Sequence, residues 1–250
     1  MFKGYYNLTS GMLTQQRNLN VLANNMTNVS TAGFKASRYT SSTFGEVLYS
    51  RTGNRDKSGY AEIGPQSYIR ATSEIVTNFN EGTLEQTGIP LDFAIEGEGF
   101  FAIRNAAGET RYTRAGSFSL DQEGYLCYGN FGRVLDRNGN EIALMTDKIS
   151  GDERGTLYAA NGVPLGQIGV FTFDDEAGLE YNEEGFFVGA EGQALDTPKV
   201  HWRYLERSNV DMVREMTEML TAQRAFQSAA QVSKIYDQLM TKATAEIGRL

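Results

Sequence analysis

Apolar residues toward the C-terminus recur at helical spacing over an unusually long stretch of chain. Residues 199–247 contain no Gly and no Pro, and Ser208 and Asp211 have the spacing of a capping box. The pattern predicts a helix from about 209 to 247, about 60 Å long, ending at Gly248. Because its apolar stripe shifts around the helix, more than one partner surface is needed. The first stripe contains Met212, Met216, Met219 and Phe226, and the second contains Ala225, Ala229, Val232, Tyr236, Leu239 and Ala243.

The N-terminal segment also has a heptad pattern. Its seam consists of Leu8, Met12, Leu19, Leu22, Met26 and Val29, with Gln15 at the one polar position. The same segment is rich in Asn, a residue of poor helix propensity, so this helix is weak alone and forms when packed. Since little else in the chain is helical, we expect the two terminal helices to pair with each other, antiparallel, and with other chains.

The central part of the chain alternates short apolar runs with turns that contain Gly. Asn138-Gly139 between two such runs is a hairpin signal. The turns recur about every 8–12 residues, which predicts an antiparallel β domain. The predicted strands are 93–95, 100–104, 110–113, 117–120, 125–128, 133–136, 141–144, 155–159, 167–173, 179–182 and 186–189.

Together these patterns predict an α+β fold. A discontinuous helical coiled-coil domain is formed by 1–35 and 205–250, and a central antiparallel all-β domain spans 76–204. Between them, 36–75 is predicted as an extended connector. Within it, the polar stretch 45–66 contains five Gly or Pro residues.

Composition excludes several classes of site. The 250 residues include one Cys, Cys127, and one His, His201, which excludes a disulfide framework and a Cys/His metal cage. We expect no metal and no cofactor. No apolar run approaches the ~18 residues that cross a bilayer, so no membrane insertion is expected. The N-terminus also lacks the apolar segment of a cleaved signal peptide.

Charge is unevenly distributed. Residues 1–45 carry four basic and no acidic residues, 46–204 carry 13 basic and 25 acidic residues, and 205–250 carry six of each, for a net charge of −8. A net-acidic chain is poorly suited to a phosphate backbone, so we expect no nucleic-acid partner.

Candidate catalytic groups are scattered. Gly97-Glu98-Gly99 precedes a predicted strand rather than the helix that a phosphate-binding loop requires. Asp136, Asn138 and Asn140 begin like a calcium loop but lack its Gly and Glu, so a hairpin tip is expected. The remaining candidates are the carboxylate cluster Asp174-Asp175-Glu176, the His201-Trp202 pair, and Cys127 on an alternating strand, read as inert core. No nucleophile, base and orienting group assemble, and we predict that the chain is not an enzyme.

Three motifs resemble one family. Residues 23–35 read ANNMTNVSTAGFK, similar to the box that closes the N-terminal helix of bacterial flagellar axial proteins. Residues 205–211 read LERSNVD and continue to QRAF at 223–226, which resembles the C-terminal box of that family. Between them, LDFAIEGEGFF at 91–101 and YTRAGSF at 112–118 resemble the flagellar rod and hook branch. Thr27, where the family usually has Ala, and Phe226, where Tyr is common, depart mildly from these motifs.

The resemblance implies a structural subunit of the flagellar rod, of the distal rod type. Such a subunit is exported by the flagellar type III apparatus without a cleaved signal and assembles helically into a shaft that transmits torque. Its implied location is the basal body in the cell envelope. Its implied partners are copies of itself, other rod and hook proteins, and the export apparatus.

The predicted assembly interface lies on the terminal helices. Its N-terminal residues are Leu8, Met12, Leu19, Leu22, Asn24, Asn25, Met26 and Asn28, and its C-terminal residues are Met216, Met219, Leu220, Phe226, Val232, Tyr236 and Leu239.

Two other classes remain open from the residues alone. A secreted trimeric coiled-coil adhesin would keep one unbroken heptad frame at each end, and the C-terminal stripe shifts instead. A hydrolase on a β scaffold would use Asp174, Glu176 or His201 and would need convergent polar groups around them.

Overall fold

The computed structural model describes residues 2–43, 47–51, 61–66, 70–174, 179–182, 185–189 and 192–247. Its two helices are α1 (Phe2–Thr27) and α2 (Met212–Ile247). The strands are β1 (Ser37–Thr43), β2 (Val47–Arg51), β3 (Ala61–Gln66), β4 (Arg70–Thr77), β5 (Leu84–Gln86), β6 (Phe93–Glu96), β7 (Phe100–Arg104), β8 (Thr110–Thr113), β9 (Ser119–Leu120), β10 (Leu126–Tyr128), β11 (Gly132–Val134), β12 (Ile149–Gly151), β13 (Thr156–Ala159), β14 (Pro164–Gln167), β15 (Val170–Thr172), β16 (Glu180–Tyr181), β17 (Phe187–Val188), β18 (Gln193–Ala194), β19 (Lys199–Trp202) and β20 (Tyr204–Glu206).

The predicted α+β class, with helices at both ends and antiparallel strands between them, is confirmed. The predicted start of the long helix is wrong by three residues. Asp211 is its N-cap, because Oδ1 of Asp211 accepts the N–H groups of Val213 at 3.0 Å and Arg214 at 3.2 Å. Ser208 is therefore outside the helix, and the predicted capping box does not form.

The chain divides into two compact units. The terminal unit contains Met1–Met26, Ser37–Val76 and Asp211–Leu250, and the central unit contains Thr27–Ala36 and Thr77–Val210. This division differs from the predicted domains, because 27–35 and 205–210 belong to the central unit. The segment 36–75, predicted as a connector, contains β1 to β3 and most of β4. Here β1 pairs with β4 and β2 with β3, while 44–46, 52–60 and 67–69 lie outside the described residues.

The central unit is organised around one large antiparallel sheet. Its strands follow the order β16-β17-β8-β7-β11-β10-β9, and β15 pairs with β7 and β18. Strands β12, β13 and β14 form a smaller sheet, while β6 pairs with β19 and β5 with β20. The last two pairs were not predicted. They join residues more than 100 positions apart, and their short strands carry no alternating pattern.

Strand β7 is buried on both faces, so the core has two parts. On one side Phe101 packs among Phe93, Phe118, Val134 and other apolar residues. On the other side Phe100 and Ala102 pack with a second cluster that includes Tyr112, Leu135 and Phe187. The continuous apolar run at 100–103 is the sequence signal of such a central strand.

Five hairpin turns of the central unit share one construction. In each turn an Asn or Asp donates its N–H to the carbonyl four residues later and accepts, through its own carbonyl, the N–H of a Gly three residues later. Its side-chain oxygen accepts the N–H four residues later. The Gly has a positive φ of 73° to 89° in every case, as this turn requires. The turns begin at Asn105, Asp121, Asp136, Asp152 and Asn182. The hairpin tip predicted at Asp136 is thus confirmed.

Candidate functional site

The two terminal helices touch near both ends of α1. A Cβ added to Gly4 would lie 3.1 Å from the hydroxyl oxygen of Tyr236, so Gly4 permits a close approach. At the other end, Nδ2 of Asn25 donates to Oε2 of Glu215 at 3.1 Å. Because residue numbers rise along α1 as they fall along α2, the helices run antiparallel, which confirms the predicted direction. Phe226 lies on α2 between Glu215 and Tyr236, and its side chain is half-buried.

Asn25 holds the end of α1 to the first strand of the terminal unit. Its Nδ2 donates to the carbonyl of Ser37 at 2.8 Å, and the N–H of Ser37 donates to its Oδ1 at 3.0 Å. With the bond to Glu215, the amide links α1 to two other segments of the chain. Asn25 as a whole is 1 % exposed. Asn has a low helix propensity, but its side-chain amide offers both a donor and an acceptor to the neighbouring backbone.

Two residues predicted to contact neighbouring subunits are instead covered within one chain. Leu22 is 4 % exposed and Asn25 is 1 % exposed, so neither offers surface to a partner. Both residues therefore contribute to the internal packing of the chain.

The remaining predicted interface residues divide by exposure. Four apolar residues of α2 are about half exposed, namely Met216 at 46 %, Leu220 at 54 %, Val232 at 45 % and Leu239 at 60 %. Asn24 on α1 is exposed. The half-buried members are Leu8, Met12, Leu19, Met26, Asn28, Met219, Phe226 and Tyr236.

Further apolar residues of the helices are exposed and were absent from the predicted interface. On α2, Val213 and Ile235 complete two runs with Met216, Leu220, Val232 and Leu239, each at i, i+3, i+7 spacing. On α1 the exposed residues are Tyr5, Tyr6 and Leu13. The sequence already placed these α1 residues off the heptad seam, a position that indicates a second apolar face of the helix.

A buried charge cluster in the central unit joins all three sequence motifs. Oε1 of Glu206 accepts from Nζ of Lys35 at 2.8 Å and from the N–H of Gly82 at 2.7 Å. Oε2 of Glu206 accepts from Nε of Arg114 at 2.5 Å. Lys35, Arg114 and Glu206 are 2 %, 4 % and 1 % exposed. Two buried cations therefore share one carboxylate, and no sequence pattern predicted this arrangement.

Backbone carbonyls complete the coordination of both cations. Arg114 donates to the carbonyls of Ile95, Gly97 and Gly99, and Lys35 donates to that of Asn80 at 2.8 Å. Gly97 and Gly99 have φ of 91° and 124°, which turns their carbonyls toward the guanidinium. The Gly-x-Gly is thus an internal cradle for Arg114 and not a phosphate loop.

Burial lowers the pKa of Lys35 below its ordinary value of 10.5, and the nearby Glu206 carboxylate opposes this shift without cancelling it. Folding therefore disfavours the charged form of Lys35.

Lys35→Met is expected to remove a pH dependence of stability. Between the lowered pKa and 10.5 the unfolded wild-type chain binds more protons than the folded chain, so its free energy of unfolding rises with pH in that window. The wild type should gain stability relative to Lys35→Met as pH approaches 10.5 from below, in urea unfolding at stepped pH. Lys199→Met, at an exposed ion pair, is the matched control. Parallel curves for wild type and Lys35→Met would contradict the shift.

Asn209 of the C-terminal motif ties together three segments of the central unit. Its Oδ1 accepts the N–H of Ala36 at 2.7 Å, and its Nδ2 donates to the carbonyls of Asn78 at 2.8 Å and Asn80 at 2.9 Å. The side-chain amide of Asn209 thus satisfies backbone groups that lie outside the strands.

The other candidate groups remain apart. His201 lies 2.6 Å from Oε2 of Glu96, and this hydrogen bond is the main cause that lowers the pKa of Glu96. Asp174 accepts from Gln193, Cys127 is buried beside Ser119, and residues 175–178, which include Glu176, lie outside the described residues. Within the described ranges, no three His, Cys, Asp or Glu side chains are placed to hold a metal. Neither described helix has the length and apolarity that a bilayer crossing requires.

The described residues therefore present apolar helix surface, and the candidate catalytic groups among them do not converge. Three family models match the chain in order. "Flagella basal body rod protein" matches 6–35, "Flagellar hook protein FlgE/F/G D1 domain" matches 94–210, and "Flagellar basal body rod FlgEFG protein C-terminal" matches 203–246.

Relatives match over nearly the whole chain. The flagellar basal-body rod protein FlgG of Bacillus subtilis (strain 168) is 34 % identical, with 96 % of this chain and 97 % of the relative covered. FlgG of Agrobacterium fabrum is 33 % identical over 92 % and 94 %. The flagellar hook-basal body complex protein FlhO of Bacillus subtilis is 30 % identical over 100 % of both. The chain belongs to the flagellar basal-body rod protein family.

Proposed function

We propose that this chain is a structural subunit of the bacterial flagellar rod and that its work is mechanical. The observation that carries the proposal is the exposed apolar surface of α2, where Leu220 and Leu239 are 54 % and 60 % exposed although the helix already contacts α1. Runs of exposed apolar residues of this kind mark a protein contact. A rod built of repeated subunits provides such contacts on every copy.

Assembly is proposed to proceed through the terminal helices. The antiparallel pair of α1 and α2 forms a coiled-coil element, and its exposed apolar residues contact neighbouring subunits. Such contacts join unlike surfaces, so they repeat without closing and generate a helical tube. The proposed partners are copies of this chain and other rod and hook proteins, since the relatives are named as basal-body rod and hook-basal body complex proteins. No catalytic step is part of this role.

The proposed location is the basal body, in the distal part of the rod, after export by the flagellar type III apparatus without a cleaved signal. The three ordered family matches and the relatives named as basal-body rod proteins support the basal-body location. The adhesin alternative has no support among those relatives.

The direct test is composition and motility. A strain that lacks this chain should be non-motile and should build basal bodies with no complete rod, and supplying the chain should restore both. Mass spectrometry of isolated basal bodies should detect the chain in many copies. Normal motility in the deletion strain, or basal bodies without the chain in the parent strain, would refute the proposal. Asp174→Ala and His201→Ala should leave motility unchanged, which separates a structural role from a hydrolase.

A further inference from the structure

Arg203 lies in a backbone conformation that does not favour Arg. Its φ is 65°, in the left-handed region, where it links β19 to β20. Both backbone polar groups of Arg203 are hydrogen-bonded. The carbonyl accepts the N–H groups of Thr87 at 2.9 Å and Gly88 at 3.3 Å, and its own N–H donates to the carbonyl of Asp92 at 2.8 Å. Gly or Asn would satisfy the same bonds with less strain, so the backbone does not explain the choice of Arg.

Among the residues that the structure describes, the guanidinium of Arg203 forms no ion pair with a carboxylate. It lies over the ring of Trp202, with Cζ 4.0 Å from the ring centroid. Its Nε is buried and has no hydrogen-bond acceptor within the described ranges. In contrast, Arg207 pairs with Glu85, and Arg133 pairs with three carboxylates.

Two contacts fix the Trp202 ring on which Arg203 stacks. Nε1 of Trp202 donates to the carbonyl of Pro90 at 2.8 Å, and Gly151 approaches the ring closely, with an added Cβ only 3.1 Å away. Ile89 precedes Pro90 in the chain and is 54 % exposed, and Tyr204 follows Arg203 and is partly exposed. Trp, Tyr and Arg together are the residues most enriched at the energetic centres of protein interfaces.

We propose that Arg203, stacked on Trp202, is an anchor between subunits that binds a carboxylate on the central unit of a second copy of this chain. The guanidinium fork matches a carboxylate in geometry and charge. Residues 46–204 of a second copy carry 25 acidic against 13 basic residues, so carboxylates outnumber cations in this part of the chain. This inference rests on the proposed function, which places copies of the chain side by side.

The test uses strains whose only copy of the chain is a variant. Arg203→Asn removes the cation and suits the left-handed backbone, so its Tm in purified protein should be unchanged or a few degrees higher. Its incorporation into basal bodies should nevertheless fall at least about tenfold, the size expected for one lost charged anchor. Arg154→Asn, which removes an exposed arginine at a turn, should incorporate like wild type.

Photo-crosslinking identifies the occupant. A benzophenone amino acid in place of the exposed Ile89 should crosslink, in assembled rods, to an acidic peptide of the central unit of another copy. A crosslink to a different protein, or to a peptide without Asp or Glu, would overturn the inference, as would normal incorporation of Arg203→Asn. Absence of the wild-type chain from basal bodies would instead refute the proposed function, so the two failures are distinguishable.

The single Trp of the chain gives a second readout. A carboxylate that docks on Arg203 changes the surroundings of Trp202, so wild-type fluorescence emission should shift when purified protein is concentrated to the point of assembly. Raising the salt concentration should reverse the shift, because salt screens the charge pair. An identical shift in Arg203→Asn would contradict the anchor.

Discussion

Replacing Glu206 by Gln should destabilise the central unit by about 3–5 kcal/mol, the cost of leaving a buried charge without its partner. The Glu206 carboxylate accepts from both Lys35 and Arg114, and all three side chains are at most 4 % exposed. In Glu206→Gln two buried cations face each other with no counter-charge. Urea unfolding, followed by near-UV circular dichroism, measures the loss directly.

Matched variants separate charge from shape. Lys35→Met should cost far less than Glu206→Gln, because it leaves one buried cation with one buried carboxylate. The double variant Lys35→Met, Glu206→Gln should recover part of the loss, since only Arg114 then lacks a counter-charge. Glu123→Gln removes a carboxylate that is 70 % exposed and should leave the free energy of unfolding almost unchanged. Equal effects of Lys35→Met and Glu206→Gln would disprove the charge argument.

Replacing Leu220 by Asp should abolish rod assembly without a comparable effect on the isolated subunit. Leu220 is 54 % exposed, so the monomer tolerates a carboxylate there, whereas a subunit contact would bury an unpaired charge. Since every copy carries the substitution, the penalty recurs at each contact. Export should be normal, the Tm of the purified protein should change by no more than a few degrees, and basal bodies should lack a complete rod.

Controls for this variant lie on the same helix. Gln223→Asp adds the same charge at an exposed polar position and should assemble normally. Leu239→Asp, on the second exposed run of α2, should reproduce the defect if both runs contact neighbours. Rods of normal length from Leu220→Asp would show that this run faces solvent in the assembled shaft.

The helices and turns were accessible from sequence because their signals are local. The end of α2 at Ile247 and the hairpin at Asp136 depend on periodicity or on residues within one turn. The pairing of β5 with β20 was not predicted, because these short segments adopt strand conformation only by pairing with a segment far away in the sequence. Buried charges escaped for a related reason. Nothing in the neighbourhood of Glu206 along the chain indicates that Lys35 and Arg114 meet it.

The candidate interface was predictable only in part. A heptad seam indicates that one face of a helix is covered, but it does not identify what covers it. Leu22 and Asn25 are covered within the chain, whereas Leu220 and Leu239 remain exposed. Arg203 could not be singled out from the sequence, because a backbone angle and a stack on Trp202 appear only in the folded chain.

The shared construction of the five hairpin turns sets an order for folding. Each turn closes over five residues and forms on a timescale of about microseconds, with little loss of chain entropy. The pair between Lys35 and Glu206 closes over 171 residues and must wait for the last strand. A chain emerging N-terminus first can therefore hold local hairpins early, while its buried ion pair forms last. The C-terminal motif would then commit the subunit to its native state at the moment when α2 becomes available for neighbours.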